Sequence, residues 1–164
     1  MTILLKNKHS LIIDDFIFKC CIGKKGITAK KKEGDHKTPR GTFKIENLYF
    51  RKDRLKKPKT KLKCIEIKKN MRWSNDVNYP KKYNKLINTV ENYKHEKLKR
   101  EDYKYDLLIP VKYNYNKPVS GKGSCIFIHL TKNYKPTAGC VALKKKDYLI
   151  MLKLINRNTK LKII

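Results

Sequence analysis

Apolar and polar positions alternate in short runs along most of this chain, and the prevailing period of two is that of strands in a sheet. Leu11 to Ile22 alternates loosely and contains Phe16, Ile17 and Phe18, which predicts a hairpin of two strands turning at Asp14-Asp15. Gly23 to Gly41 is polar and marked by glycines, a long loop closed by Thr38-Pro39-Arg40-Gly41 ahead of a strand over Thr42 to Phe50. Leu62 to Ile67 alternates again, and Asp106 to Tyr113 and Ser124 to Leu130 are strongly apolar strands joined by turn residues between Asn114 and Gly123. Lys160 to Ile164 predicts a last strand. A helical period appears over Asp147 to Ile155, with apolar residues at 148, 149, 151, 152, 154 and 155 and Asp147 as the expected N-cap. A second, shorter helix fits Lys81 to Val90, after Pro80. Around it, residues 70–102 are the least regular part and predict an insertion packed over the strand core, facing a substrate. The pattern describes a mostly β fold with one or two short helices.

Length changes this picture little: 164 residues make one domain, 1–164, with room for a real core and none for a second ordinary domain. Charge adds more. The net charge of +28, from 42 basic against 14 acidic residues, favours association with polyanions. Yet the basic residues are scattered through every segment and 36 of them are Lys, which describes a generally basic solvated surface rather than a defined polyanion site. No nucleic-acid motif or basic-aromatic stripe is present, so no nucleic-acid partner is expected. A basic protein that binds an anionic polymer remains the competing reading from outside the enzymes. No signal peptide is visible at the N-terminus and no stretch approaches the roughly 20 apolar residues of a membrane span. Five cysteines, at 20, 21, 64, 125 and 140, form no C-x-x-C pair, which argues against a disulfide scaffold and a structural zinc site.

The chemistry concentrates between Ser124 and Leu143. His129 ends an apolar strand, and Cys140 follows eleven positions on, directly after Ala138-Gly139. A free thiol with pKa about 8.5 is mostly protonated at neutral pH and needs a base beside it. His129 supplies that base for Cys140, and Gly139 leaves room for a substrate carbonyl while backbone N–H groups of Cys140 and Gly139 bind the developing oxyanion. Cys125 on the same strand lies ~13 Å from His129 at the usual rise per residue, too far to be its partner. The bland alternative is a hydrogen-bonded strand-end histidine and an inert core thiol. A metal bound by Cys125, His129 and Cys140 lacks any paired spacing for a fourth ligand, so no metal and no other cofactor is expected. Thr137 fits either a hydroxyl bond that holds the loop or a plain turn position.

Together, F-I-H-L and P-T-A-G-C-V-A-L resemble the catalytic signature of the L,D-transpeptidase (YkuD-like) domain, which remodels bacterial peptidoglycan. The segment K-E-G-D-H-K-T-P-R-G-T-F resembles the family's turn leading into a strand, and M-R-W-S-N-D-V-N-Y-P-K-K-Y-N and K-R-E-D-Y-K-Y-D-L-L resemble a compact single-domain branch of it. The matches run in order over about residues 10 to 160. The resemblance implies a β-sandwich with a catalytic loop, no cofactor, His129 and Cys140 as the catalytic pair, and donor and acceptor peptidoglycan stem peptides as partners. It implies transfer of a stem-peptide acyl group, through a cysteine thioester, to a diaminopimelate side-chain amine, or hydrolysis from the same site. The expected location is the periplasm or cell envelope. Many members carry S-H-G-C, so Ala138 replaces a histidine, and a basic side chain after the thiol is also missing. His36 is a candidate to replace one of them. Trp73 and Asp76 are candidates to grip a peptide and its free amine, and Arg100 to clamp a carboxylate.

Overall fold

A computed structural model of the chain describes residues 1–88 and 92–164. The described residues contain fifteen strands and one helix, in agreement with the mostly β expectation. The first hairpin forms as the alternation requires: β2 (Ser10–Ile13) pairs antiparallel with β3 (Phe16–Cys21), with Ile13 opposite Phe16 across Asp14-Asp15. Asp14 takes a φ of +48°, a backbone state that Asp tolerates better than most residues. β1 (Thr2–Leu5), which the sequence pattern did not single out, pairs with β2 on one side and in parallel with the C-terminal strand on the other.

Several expectations need correction. The strand expected over Thr42 to Phe50 is two strands, β6 (Gly41–Lys44) and β7 (Leu48–Phe50), which lie in different parts of the main sheet. Ahead of them, the polar loop contains a small parallel pair, β4 (Ile27–Thr28) with β5 (Thr38–Pro39). Within 70–102, between turns and loops, β9 (Arg72–Ser74) sits between β10 (Leu86–Ile87) and β11 (His95–Lys97) in a small three-stranded antiparallel sheet. No helix forms over residues 81–88, where turns lead into β10; Thr89 and Val90 of the expected helix lie outside the described residues. The single helix, α1, spans Lys145–Leu154, and its N-cap is Lys144 without a side-chain cap bond. Asp147 lies inside its first turn, where its charge favours the helix dipole but its side chain is past the capping position.

Ten strands make one curled sheet. Its central strands are β12 (Leu107–Pro110), β13 (Phe127–Leu130) and β14 (Val141–Leu143), followed outward by β3 on one side and by β7 and β8 (Cys64–Glu66) on the other. The far edge is β6 beside β15 (Lys160–Ile163). β13 and β14 are buried throughout, which is why their sequences read as continuous apolar runs. Alternation divides their side chains between two cores. Ile128, Leu130, Val141 and Leu143 join the larger core with Tyr148, Met151 and Leu152 of α1. Phe127 and Cys140 turn the other way, into a second core with Trp73, Leu98, Tyr105 and Leu108. The small β9–β11 sheet therefore covers the face of β13 that carries every second residue, and His129 shares that face with Phe127.

Candidate active site

The parallel register of β13 and β14 places His129 opposite Ala142, two residues beyond Cys140, so both side chains reach the same face of the sheet. They line one groove of about 990 Å³, walled by residues 31–34, by Asn75, Val77, Lys94 and Glu96, and by the 100–105 loop. The imidazole is almost wholly buried, and its Nδ1 lies 2.9 Å from the carbonyl oxygen of Leu130. A carbonyl only accepts, so Nδ1 carries the hydrogen of the neutral ring and Nε2 is left as the basic nitrogen. Burial lowers the His129 pKa to about 4, helped by repulsion from Lys104 and Arg100 and opposed by the Leu130 bond. Tyr105 meets the ring edge-on at 5.4 Å.

Cys140 is equally buried, and its pKa is pushed up to about 12, first by burial and next by the negative charge of Glu96. Its thiol donates to the carbonyl of Cys125 at 3.1 Å, and the N–H of Phe127 points at its sulfur at 3.4 Å. The thiol proton is thus held by backbone, and the resting pair is a neutral thiol and a neutral imidazole. Cys125 enters the site through this carbonyl, presented by a residue with φ of +52° just before β13 begins, while its own sulfur faces Trp73.

Thr137, Ala138 and Gly139 form a loop fixed from several directions. The Thr137 hydroxyl accepts from the Gly139 N–H at 3.1 Å and donates to the Cys140 carbonyl at 2.6 Å, which is the loop-holding role. Because the Gly139 N–H is taken by this bond, it is not aimed at a substrate oxygen here. Thr137 is itself strapped to the end of β3, donating its N–H to Ile22 and accepting from Lys24. Buried Thr38 donates to the Gly139 carbonyl and accepts from the Gly23 N–H, both at 2.9 Å. Gly139 has φ of +147°, and a Cβ there would lie 2.9 Å from the Lys37 carbonyl oxygen. Glycine is required by that backbone.

The other candidates are distributed differently. Trp73 is buried, donates its indole N–H to Asn84 at 2.9 Å and packs edge-on against Phe127 at 5.3 Å, so it is a core residue that does not line the groove. Asp76 accepts from the N–H groups of Asn78 and Lys94, which staples two segments of the small sheet and commits both carboxylate oxygens. Its Asx-turn with Asn78 is a local pattern that the string D-V-N carried. His36 is exposed with φ of +57° and lies outside the groove lining. Arg100 does line the groove, paired with Asp102 at 2.6 Å and stacked over Tyr105 at 5.0 Å.

Four groove residues were not legible as candidates: Lys31, Glu33, Glu96 and Tyr105. Lys31 is buried and paired with Asp35 at 2.5 Å, and its charge favours the Cys140 thiolate. Glu33 accepts from Ser124 at 2.6 Å and from the Tyr83 hydroxyl. Glu96 accepts from the Tyr105 hydroxyl. Arg51 and Arg54 hold the loop that carries Arg100 and Tyr105, donating to the carbonyls of Arg100, Glu101 and Asp102. Glu33, Arg51 and Arg54 reach their partners across tens of sequence positions, which no local pattern marks.

No curated protein and no solved structure matches the chain at a significant level. A family model does: that of the L,D-transpeptidase catalytic domain (YkuD), over residues 2–163. With nearly its whole length covered, the chain belongs to the L,D-transpeptidase catalytic-domain family.

Proposed function

We propose that this protein is a peptidoglycan L,D-transpeptidase that works through a thioester on Cys140. The observation that carries the reading is the shared groove of His129 and Cys140, with Nδ1 tied to Leu130 and Nε2 left as the base. On substrate binding the thiol leaves the Cys125 carbonyl and gives its proton to Nε2. The sulfur then attacks a peptide carbonyl of the donor stem, and the tetrahedral intermediate collapses with cleavage of the C–N bond. The leaving amine takes the proton from His129, and a thioester remains. The side-chain amine of a diaminopimelate in a second stem attacks the thioester, loses a proton to His129 and restores the thiol as the cross-link forms. Such a reaction takes place at the cell envelope, where the polymer is. Among the described residues no helix is long and apolar enough to cross a membrane.

The neutral resting pair supports this sequence of steps, because an amine acceptor must meet an imidazole able to take its proton. A burial-raised thiol also protects the nucleophile from adventitious electrophiles until a substrate fills the groove. The family assignment supports the same substrate class. Wild-type and Cys140→Ala proteins incubated with muropeptides and analysed by mass spectrometry test the proposal. Cross-linked dimers from wild type alone are the expected result, and the mass of the leaving group identifies the bond cut. Shortened monomers from wild type alone would replace transfer with hydrolysis by the same pair. Unchanged muropeptides would overturn the assignment.

A further inference from the structure

Glu96 belongs to neither the proposed catalytic pair nor the ion pairs among the described residues, and its surroundings give it a distinct task. The register of β9 and β11 sets it opposite Trp73, on the face of the small sheet that lies against Phe127 of β13. That placement turns its carboxyl into the groove shared by Cys140 and His129. One carboxyl oxygen accepts from the hydroxyl of Tyr105, whose ring in turn meets His129. The other has no hydrogen-bond partner among the described residues. Asn75, two positions beyond Trp73 and also in the groove wall, has a buried Oδ1 that likewise has no partner among the described residues. A carboxylate outside the ion pairs and an unsatisfied amide oxygen thus both line the groove of the nucleophile.

The charged neighbours are otherwise engaged or distant. Glu33 is taken by Tyr83 and Ser124, Lys31 by Asp35, and Arg100 by Asp102. Lys94 and Lys104 line the groove without an ion pair to Glu96. In a chain of net charge +28, a half-buried carboxyl outside the ion pairs of the described residues is unusual. A primary ammonium, with three N–H donors and one positive charge, is the group that complements a carboxylate oxygen beside an amide oxygen.

We propose that Glu96, assisted by Asn75, receives a primary ammonium group of the donor peptide inside the catalytic groove and so determines which peptide is accepted. The inference rests on the stem-peptide reading above. It assigns the ammonium to the donor because the effect on the thiol exists only before acylation. Empty, the Glu96 carboxylate opposes ionisation of Cys140 and is itself pushed towards its neutral form by burial. An ammonium seated on it cancels that negative charge, so the thiol gives up its proton more readily when the correct peptide is bound. Recognition and nucleophile formation are thereby coupled.

The test is the rate at which iodoacetamide alkylates Cys140, resolved from the other cysteines by peptide mass spectrometry. Wild type, Glu96→Gln and Asn75→Ala are compared, each with folding verified by thermal unfolding. The probes are a stem peptide with its side-chain amine free, the same peptide with that amine acetylated, and n-butylammonium chloride. The free-amine peptide should protect wild-type Cys140 at concentrations on the order of tenfold below the acetylated one, the scale of a charge-assisted hydrogen bond. That preference should vanish in Glu96→Gln and shrink in Asn75→Ala. An equal preference in wild type and Glu96→Gln would overturn the role of Glu96 while leaving the peptide reading standing. If neither peptide protects, but n-butylammonium changes alkylation in wild type and not in Glu96→Gln, the ammonium site stands and the stem-peptide reading falls. No response to any probe overturns both.

Discussion

Burial governs protonation at the two residues proposed as the catalytic pair. The folded His129 binds its proton only near pH 4, whereas an unperturbed histidine does so near 6.5, so between those values the unfolded chain takes up the extra proton. Stability contributed by His129 is therefore complete above about pH 6.5 and is lost as pH falls towards 4, by at most about 3 kcal/mol. Urea unfolding followed from about pH 7 to about pH 4 should show this slope, and His129→Gln should flatten it. Cys140 makes the opposite demand. With its thiol held up to about 12, alkylation of the free protein at Cys140 should climb steadily through the alkaline range. A plateau already near neutrality would mean a thiolate–imidazolium pair at rest and would contradict the neutral pair. At this scale His129, Cys140, Gly139 and Thr137 stood out as candidates in the sequence because one short segment carries them all. Glu96, Asn75 and Tyr105 escaped notice because only folding brings them to that segment.

Strands and loops decide how firmly those residues are held. The loop that carries the proposed nucleophile is tied to the polar loop before β6 by buried Thr38, whose hydroxyl serves Gly23 and Gly139 together. Thr38→Val keeps the shape and removes both bonds, so it should cost about 1–3 kcal/mol in thermal or chemical unfolding and lower activity through misplacement of the thiol. Gly139→Ala should be worse for activity, since its Cβ would press on the Lys37 carbonyl in a backbone state hostile to L side chains. A fully active Gly139→Ala protein would refute the rigid-loop account. The motif T-P-R-G-T-F marked this loop in the sequence, but its function as a strap was invisible, because Thr38 and Gly139 are 101 positions apart. The small β9–β11 sheet was missed for a related reason: its strands have two or three residues each, too few for a period of two to register.

For the whole molecule, the net charge of +28 surrounds a groove that itself contains acidic groups. A distributed positive field speeds encounter with an anionic polymer without defining where it binds. Raising salt from about 50 mM to about 500 mM should accordingly lower kcat/KM for a carboxylate-rich stem peptide several-fold. Alkylation of Cys140 by neutral iodoacetamide should barely change, and a parallel fall in both rates would point to a structural effect of salt. The sequence alone determined the mostly β architecture, the first hairpin and the last strand, and singled out His129 and Cys140 as candidates, because alternation, turn chemistry and the spacing of one segment are local properties. Tertiary structure alone decided that Trp73 is core, that Asp76 staples a sheet and that Glu96 enters the groove. Those outcomes depend on which face of β13 the small sheet covers, and that is set by packing between segments far apart in the chain.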